Sequence, residues 1–265
     1  MAWSRNIHWK DYMEAPEHFI DLYMKRLQME IEKPSLDYLG RLVRANQQAI
    51  PFENLDITDF GKPVSLRPDR MTEKILVGGR GGFCFELNGL FSLLLKELGF
   101  ASYLCICRLL RHSEDTDVPA THCAIVTVMD GKKYLCDVGS GGPVPSGCLL
   151  LEPDTEQCVN GKRYVIRQRD GWQSLVYIRK EKPPLPLFAF ADVPFLLMDF
   201  YGNALMRSEG DSAYEVRHVS LRTDTGYADI TGNRLTVKRD GKKTRRNFSN
   251  EELPELLRTC FHLPV

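Results

Sequence analysis

A cysteine, a histidine and an aspartate in this chain have the types and the spacing to assemble thiol chemistry. Cys84 lies in Gly78-Gly79-Arg80-Gly81-Gly82-Phe83-Cys84-Phe85-Glu86-Leu87-Asn88. After it, Leu87, Leu90, Phe91, Leu94, Leu95 and Leu98 keep helical spacing, and Gly99 is the expected stop. A glycine-rich turn therefore delivers Cys84 to the first turn of a buried helix. Backbone N–H groups there lack intrahelical partners and the helix dipole is positive, which favours a thiolate over a thiol. The ordinary alternative is a buried cysteine acting as a small hydrophobe, so the sulfur needs partners before it reads as a nucleophile. Neither a phosphate-loop Gly-Lys-Ser/Thr nor a dinucleotide fingerprint accompanies the glycines.

The partners come from a hairpin. Asp130-Gly131 separates two strand-like runs, Cys123 to Val128 and Lys133 to Val138, and as the two central turn residues they pair Met129 with Lys132. Counting back from the turn sets Ala124 opposite Asp137. His122 and Asp137 then share a sheet face as diagonal neighbours, with Cβ atoms roughly 7 Å apart, within reach of a carboxylate–imidazole hydrogen bond. A shift of one residue at the turn would put them on opposite faces. Singly, His122 reads as a strand-end histidine and Asp137 as a turn cap. With Cys84 they make a thiol nucleophile, its base and the group that orients the base.

The elements that must hold these groups follow in blocks. Pro16 opens a helical pattern with Phe19, Leu22, Tyr23 and Leu27 on one face. Ser35 caps a second helix bearing Leu36, Leu39, Leu42 and Val43, which Pro51 ends. Asp69 is expected to cap a short third helix through Met71 and Ile75. From Ala101 onward Tyr103 to Leu109, the two hairpin runs, Arg163 to Arg169 and Gln173 to Arg179 predict an antiparallel sheet or small barrel. Lys182 to Leu187 (Lys-Pro-Pro-Leu-Pro-Leu) reads as a stiff linker rather than a proline-rich ligand. Strand-like Glu215 to Leu221 and Arg234 to Lys238 follow. A last helix carries Leu253, Leu256, Leu257 and Phe261 behind a Ser249/Glu252 capping box. Helices in one block and strands in the next argue for an α+β fold.

Composition removes other function classes. The 265 residues carry 35 basic and 35 acidic side chains, so no global field draws nucleic acid or an acidic membrane. No apolar run is long enough to span a bilayer, and Met1 to Trp9 does not resemble a signal peptide, so a cytoplasmic protein is expected. The eight cysteines, with no Cys-x-x-Cys, read as reduced thiols. A zinc site from Cys105, Cys107, His122 and Cys123 lacks the usual ligand spacing, and no metal is expected. Lys238, Arg239, Lys242, Lys243, Arg245 and Arg246 form a basic run that reads either as a solvated hairpin flank or as a phosphate anchor.

Arg80-Gly81-Gly82-Phe83-Cys84-Phe85-Glu86-Leu87-Asn88 resembles the Arg-Gly-Gly-x-Cys-x-Glu-x-Asn segment of the arylamine N-acetyltransferases. Ile50-Pro51-Phe52-Glu53-Asn54-Leu55 resembles another segment of that family, and Thr121-His122 and Asp137-Val138-Gly139 follow at appropriate spacing. The resemblance implies a helical bundle (1–99), a central antiparallel β-barrel (100–187) and a C-terminal α/β lid (188–265), with the triad at the bundle–barrel junction. It implies that Cys84, His122 and Asp137 are catalytic, and that Glu53 and Arg80 pair to hold the catalytic loop. It also implies acetyl-CoA as co-substrate and a small aromatic amine or hydrazine as acceptor. Thr121 and Gly139, which flank the triad, are expected against the donor, and Phe52 against the acceptor. The family's usual Asp-Val-Gly-Phe-Gly is here Asp137-Val138-Gly139-Ser140-Gly141, so Ser140 replaces an acceptor-pocket phenylalanine. Two other readings use the same residues: a thiol hydrolase, which would need no acetyl donor, and a binding module that has kept the fold.

Overall fold

The computed structural model describes residues 13–110, 117–169, 171–208 and 216–264. Its first part is helical: α1 (Phe19–Leu27), α2 (Leu36–Ala49), the short α3 (Leu55–Thr58) and α4 (Pro68–Met71), a π-helical turn over Thr72–Val77, and α5 (Cys84–Glu97). Ser35 caps α2 by accepting from the Tyr38 N–H at 3.1 Å. Ile50 leaves the helix in an extended conformation, as the following Pro51 requires. The expected cap at Asp69 is not made: Arg67 holds the N-cap position and Pro68 the first helical one. Proline suits that position because its missing N–H would have had no partner there. Asp69 sits inside the first turn and takes the Arg67 guanidinium at 3.0 Å.

Helix α5 is buried almost all round, from Cys84 and Phe85 to Leu93, Leu94 and Leu95. One side packs on α1 through Tyr23 and Phe91, and the other meets Leu104, Cys123, Ile125 and Cys136 of the barrel wall. Gly99 (φ 86°) closes its C-terminus, with the Phe100 N–H reaching back to the Leu95 carbonyl at 2.9 Å.

The strands are β1 (Phe52–Glu53), β2 (Ala101–Leu109), β3 (Ala120–Met129), β4 (Lys132–Cys136), β5 (Leu149–Leu150), β6 (Gln157–Val159), β7 (Lys162–Arg169), β8 (Trp172–Ile178) and β9 (Leu185–Phe190). After α6 (Tyr201–Ser208) come β10 (His218–Arg222), β11 (Tyr227–Thr231), β12 (Arg234–Arg239), β13 (Lys242–Asn247) and α7 (Leu253–Phe261). An eight-stranded antiparallel sheet runs β5-β4-β3-β2-β9-β8-β7-β6 and curls into a nearly closed barrel. Its two edges meet through the Gln157 amide, which substitutes for a backbone peptide: Oε1 accepts from the Leu150 N–H and Nε2 donates to the Leu150 carbonyl, both at 2.8 Å. Cys105, Cys107, Val126, Leu135, Tyr164, Ile166, Phe188 and Phe190 fill the interior.

The expected linker at Lys182–Leu187 is overturned. From Leu185 onward the chain is β9, bonded to β2 on one side and β8 on the other. Pro186 fits because the β8–β9 ladder shifts register at Leu175/Val176, and a bulge tolerates a residue with no N–H to donate. A second sheet, β1-β10-β11-β12-β13, carries α7 on an apolar layer of Val219, Leu221, Ile230, Leu257 and Phe261. Its edge strand β1 comes from the helical half of the chain, so Phe52 and Glu53 tie the C-terminal unit to the turn before Cys84. The capping box at the last helix is present, with the Ser249 N–H donating to Glu252 at 2.9 Å. Among the described residues no helix is long and apolar enough to cross a membrane.

Candidate active site

The turn before Cys84 is wedged against β1. Gly82 donates to the Pro51 carbonyl at 3.2 Å, and the Glu53 N–H donates to the Gly82 carbonyl at 2.9 Å. A Cβ on Gly81 would lie 2.3 Å from the Pro51 oxygen, so no larger residue fits there. Arg80 donates to Glu53 Oε1 through Nε (3.0 Å) and Nη2 (2.7 Å), and Nη2 also reaches Asp56 at 3.1 Å. Lys74 completes the network, 2.7 Å from Asp56 and 2.9 Å from Glu86. Glu86 accepts from the Phe83 N–H at 2.8 Å and so caps α5 from its first turn. Burial works against charge on Lys74, but Glu86, Glu53 and Asp56 together raise its pKa. At Glu86 burial prevails and pushes the carboxyl up despite Lys74. Three carboxylates and two cations thus fix the turn.

Cys84 stands at the first position of α5, nearly excluded from solvent, with Sγ 3.8 Å from the Thr121 carbonyl. It lies close enough to His122 to help raise the pKa of the ring. The hairpin register is the expected one, Met129 opposite Lys132 through Ile125 opposite Cys136. Asp130 (φ 48°) and Gly131 (φ 72°) form the turn. β4 stops at Cys136, and Asp137 lies one residue beyond it with Oδ2 2.9 Å from His122 Nε2. Nδ1 is therefore the ring nitrogen left for Cys84. Burial opposes charge on His122, but the Asp137 carboxylate, with help from Cys84, pushes its pKa up to about 10. Burial likewise opposes charge on Asp137, and His122, Asn88 and the Gly139 N–H outweigh it and hold the carboxyl below its usual range.

Asn88 is the orienting residue that sequence reasoning quoted without a role. Its Nδ2 donates to Asp137 Oδ1 (2.9 Å) and the Cys123 carbonyl (2.7 Å), while its Oδ1 accepts from the Val138 N–H (2.9 Å). Asn88 follows Cys84 by one helical turn, so both project from one face of α5. That spacing was the available signal. Gly139 closes the arrangement by donating to Asp137 Oδ1 at 2.8 Å; a Cβ there would lie 2.5 Å from Asn88 Nδ2 and 2.6 Å from the Cys84 carbonyl.

Beside these groups opens a cavity of about 720 Å³ between α2, the 138–146 segment and the second sheet. Phe52, Val138, Ser140 and Gly141 form its inner wall, while Cys84, His122, Thr121 and Gly139 lie outside that wall. Phe52 also packs on Phe83 (ring centroids 6.1 Å apart) and His218 (5.1 Å), and Ser140 Oγ accepts from the Gly142 N–H at 3.2 Å. The outer wall is basic, with Lys162, Arg222, Arg234, Lys238, Lys243 and Arg245. The β12–β13 hairpin sorts the basic run: Lys238 opposes Lys243 and Thr236 opposes Arg245, all facing the cavity, whereas Arg246 pairs with Glu252 at 2.7 Å. Burial, together with the charges of Arg222 and Lys238, pushes the Lys162 pKa down to about 8. No sequence signal marked Lys162 or Arg222, which reach the cavity from β7 and β10. His122 of the weighed zinc set faces Asp137, and among the described residues no three His, Cys, Asp or Glu side chains converge to hold a metal.

A helical bundle that sets a cysteine against a His–Asp pair on a barrel wall matches a known class of protein. Residues 35–265 match the family model for N-acetyltransferases. Arylamine N-acetyltransferase of Mycolicibacterium smegmatis is 30% identical over 224 residues, 82% of this chain and 81% of that protein. The pineal gland isozyme of Gallus gallus is 33% identical over 264 residues, covering 89% and 90% of the two chains. The chain therefore belongs to the arylamine N-acetyltransferase family. The sequence match to the Salmonella typhimurium enzyme (31% identity over 58% of this chain) spans only 55% of that protein's length. Its solved structure superposes with a TM-score of 0.86 at 25% identity, over 94% of this chain and 92% of that one. The structure of the Mycobacterium marinum enzyme in complex with CoA gives 0.85 at 25% identity, over 92% of each chain.

Proposed function

We propose that this protein moves the acetyl group of acetyl-CoA onto an arylamine, arylhydrazine or arylhydroxylamine through an acetyl-cysteine on Cys84. The observation that carries the reading is Cys84 at the N-terminus of α5 beside a buried His122 that is hydrogen-bonded to Asp137 at 2.9 Å. The Cys84 thiolate attacks the thioester carbonyl; the bond to coenzyme A sulfur breaks, and the His122 imidazolium supplies the proton that the departing thiolate takes. Thioester is exchanged for thioester, so the acetyl-cysteine lies close in energy to the donor and persists until an acceptor arrives. The acceptor nitrogen then attacks, neutral His122 takes its proton, and Cys84 leaves as thiolate beside a restored imidazolium. Asp137 keeps Nδ1 directed at sulfur throughout.

The basic cavity fits the donor's phosphates, since an entering anion relieves the mutual repulsion of Lys162, Arg222 and Lys238. Ser140 and Phe52, on the wall towards the triad, fit the acceptor side. Thr121 and Gly139 act here by shaping the triad, and Glu53 and Arg80 by fixing the turn. A cytoplasmic setting belongs to the same reading, and the eight free thiols suit a reducing compartment.

The direct test is intact mass after brief exposure to acetyl-CoA with no acceptor. One acetyl group is expected on wild type and none on Cys84→Ala, with loss of the label on adding an arylamine. Free coenzyme A released at a steady rate without acceptor or adduct would favour the hydrolase instead. The phosphate assignment has its own pH signature. Lys162 is charged below about 8 and neutral above, so KM for acetyl-CoA should rise as pH passes through 8. Lys162→Ala should raise KM about ten-fold at pH 7 in low salt, remove that pH step and weaken the salt dependence. An unchanged KM places the phosphates elsewhere.

A further inference from the structure

Cys136 and Cys148 lie one residue beyond the last pair of the β4–β5 ladder. The register pairs Tyr134 with Leu150 and Leu135 with Leu149, and its continuation by one residue brings Cys136 opposite Cys148. Directly opposed antiparallel residues have Cα atoms about 4.5 or 5.5 Å apart, inside the span of about 4.4–6.8 Å that a disulfide bridges. Both side chains belong to the same apolar layer under the helices, and the two thiols are near enough to shift each other's titration. Cys136 is buried and Cys148 is partly open to solvent. The segment between them, 137–147, holds Asp137 at its start and supplies Val138, Ser140, Gly141, Gly142, Pro143 and Ser146 to the cavity wall.

We propose that Cys136 and Cys148 are a dithiol–disulfide pair, oxidised by a hydroperoxide, whose bond closes the 137–147 segment into a covalent ring. The Cys148 thiolate attacks the peroxide O–O bond and hydroxide leaves, giving a sulfenic acid. Cys136 sulfur then displaces the sulfenic oxygen, which leaves as water carrying the Cys136 proton. Two thiols lose two hydrogens and hydrogen peroxide becomes two waters. The neighbouring sulfurs favour this order, because their interaction lowers the pKa of Cys148 and raises that of Cys136. The bond forms between residues already opposed, so it adds a short closed loop at little cost in geometry. It should raise Tm by about 5–10 °C.

The test treats the full-length protein with a small excess of hydrogen peroxide, blocks remaining thiols by alkylation, and digests after Lys133 and before Asp137 and Asp154. This isolates 134–136, which contains only Cys136, from 137–153, which contains only Cys148. The expected result is the two fragments joined and released by a reducing thiol. Cys148→Ser should show no joined fragment and no gain in Tm on oxidation. Cys148→Ala is the parallel variant should serine disturb the apolar layer. Running Cys84→Ala beside them separates this chemistry from oxidation at Cys84, and the joined fragments should form there as well. Cys136 recovered alkylated while Cys148 carries sulfinic acid or is joined to Cys158 would overturn the proposal, as would two unmodified thiols after Cys84 has oxidised.

Discussion

Asp137→Asn should slow acetylation of Cys84 by about 10³- to 10⁴-fold with little change in fold. The asparagine carbonyl can keep the bonds that Oδ1 now accepts from Asn88 Nδ2 and the Gly139 N–H. Its amide then occupies the Oδ2 position, 2.9 Å from His122 Nε2. A donor facing Nε2 forces the proton onto Nδ1, the nitrogen turned to Cys84, so the ring can no longer take a proton from sulfur. Charge on His122 loses its main support, and its pKa should fall well below about 10 because only Cys84 is then left to oppose burial. Single-turnover acetylation followed by mass, with histidine titration by NMR, measures both effects. A variant that acetylates at the wild-type rate would remove Asp137 from the mechanism.

Stability carries the same signature with a definite sign. His122 has a raised folded pKa, so its share of the pair's stability is fully present below 6.5 and is lost as pH rises through about 10. Asp137 has a depressed one, so its share is present above 3.8 and is lost as pH falls through the lower folded value. The stability gap between wild type and Asp137→Asn should thus be widest between about 4 and 6.5 and narrow on both sides. Denaturant midpoints across pH read this directly, and a gap that widens towards pH 10 would contradict the ion pair.

Lys74→Met should be the most destabilising single change outside the apolar core, by about 3–5 kcal/mol, because it leaves buried charges without their partner. Glu86 is 2% exposed and Asp56 11%, and both lean on Lys74. Arg80 remains for Glu53 and Asp56, but among the described residues no other cation pairs with Glu86, whose carboxyl burial already pushes up. Protonation of Glu86 should follow and weaken its acceptance from the Phe83 N–H, loosening the first turn of α5 where Cys84 sits. Tm should drop by about 6–20 °C. The double variant Lys74→Met/Glu86→Gln should recover part of it, since removing both charges costs less than stranding one. A double variant no more stable than the single one would show that the loss is in packing instead.

Some of this was legible in the sequence because it is local. The helix that presents Cys84 follows from leucine spacing and a glycine stop, and the Ser249/Glu252 cap from four adjacent residues. The His122–Asp137 meeting follows from a two-residue turn whose register propagates strand by strand. Proline misled twice: Pro186 hid β9, whose place beside a bulge depends on β8, and Pro68 took the helix start assigned to Asp69. Long-range closure was out of reach. Phe52 and Glu53 become an edge strand only when β10, more than 160 residues later, lies beside them. Lys74 joins its network through the turn of a neighbouring helix. The cavity draws Lys162 from β7, Arg222 from β10 and Lys238 from β12. The sequence by itself determined which groups could react and how each local element presents them. Only the tertiary structure decided which charges share a buried space, since desolvation and Coulomb forces depend on distances in the fold rather than along the chain.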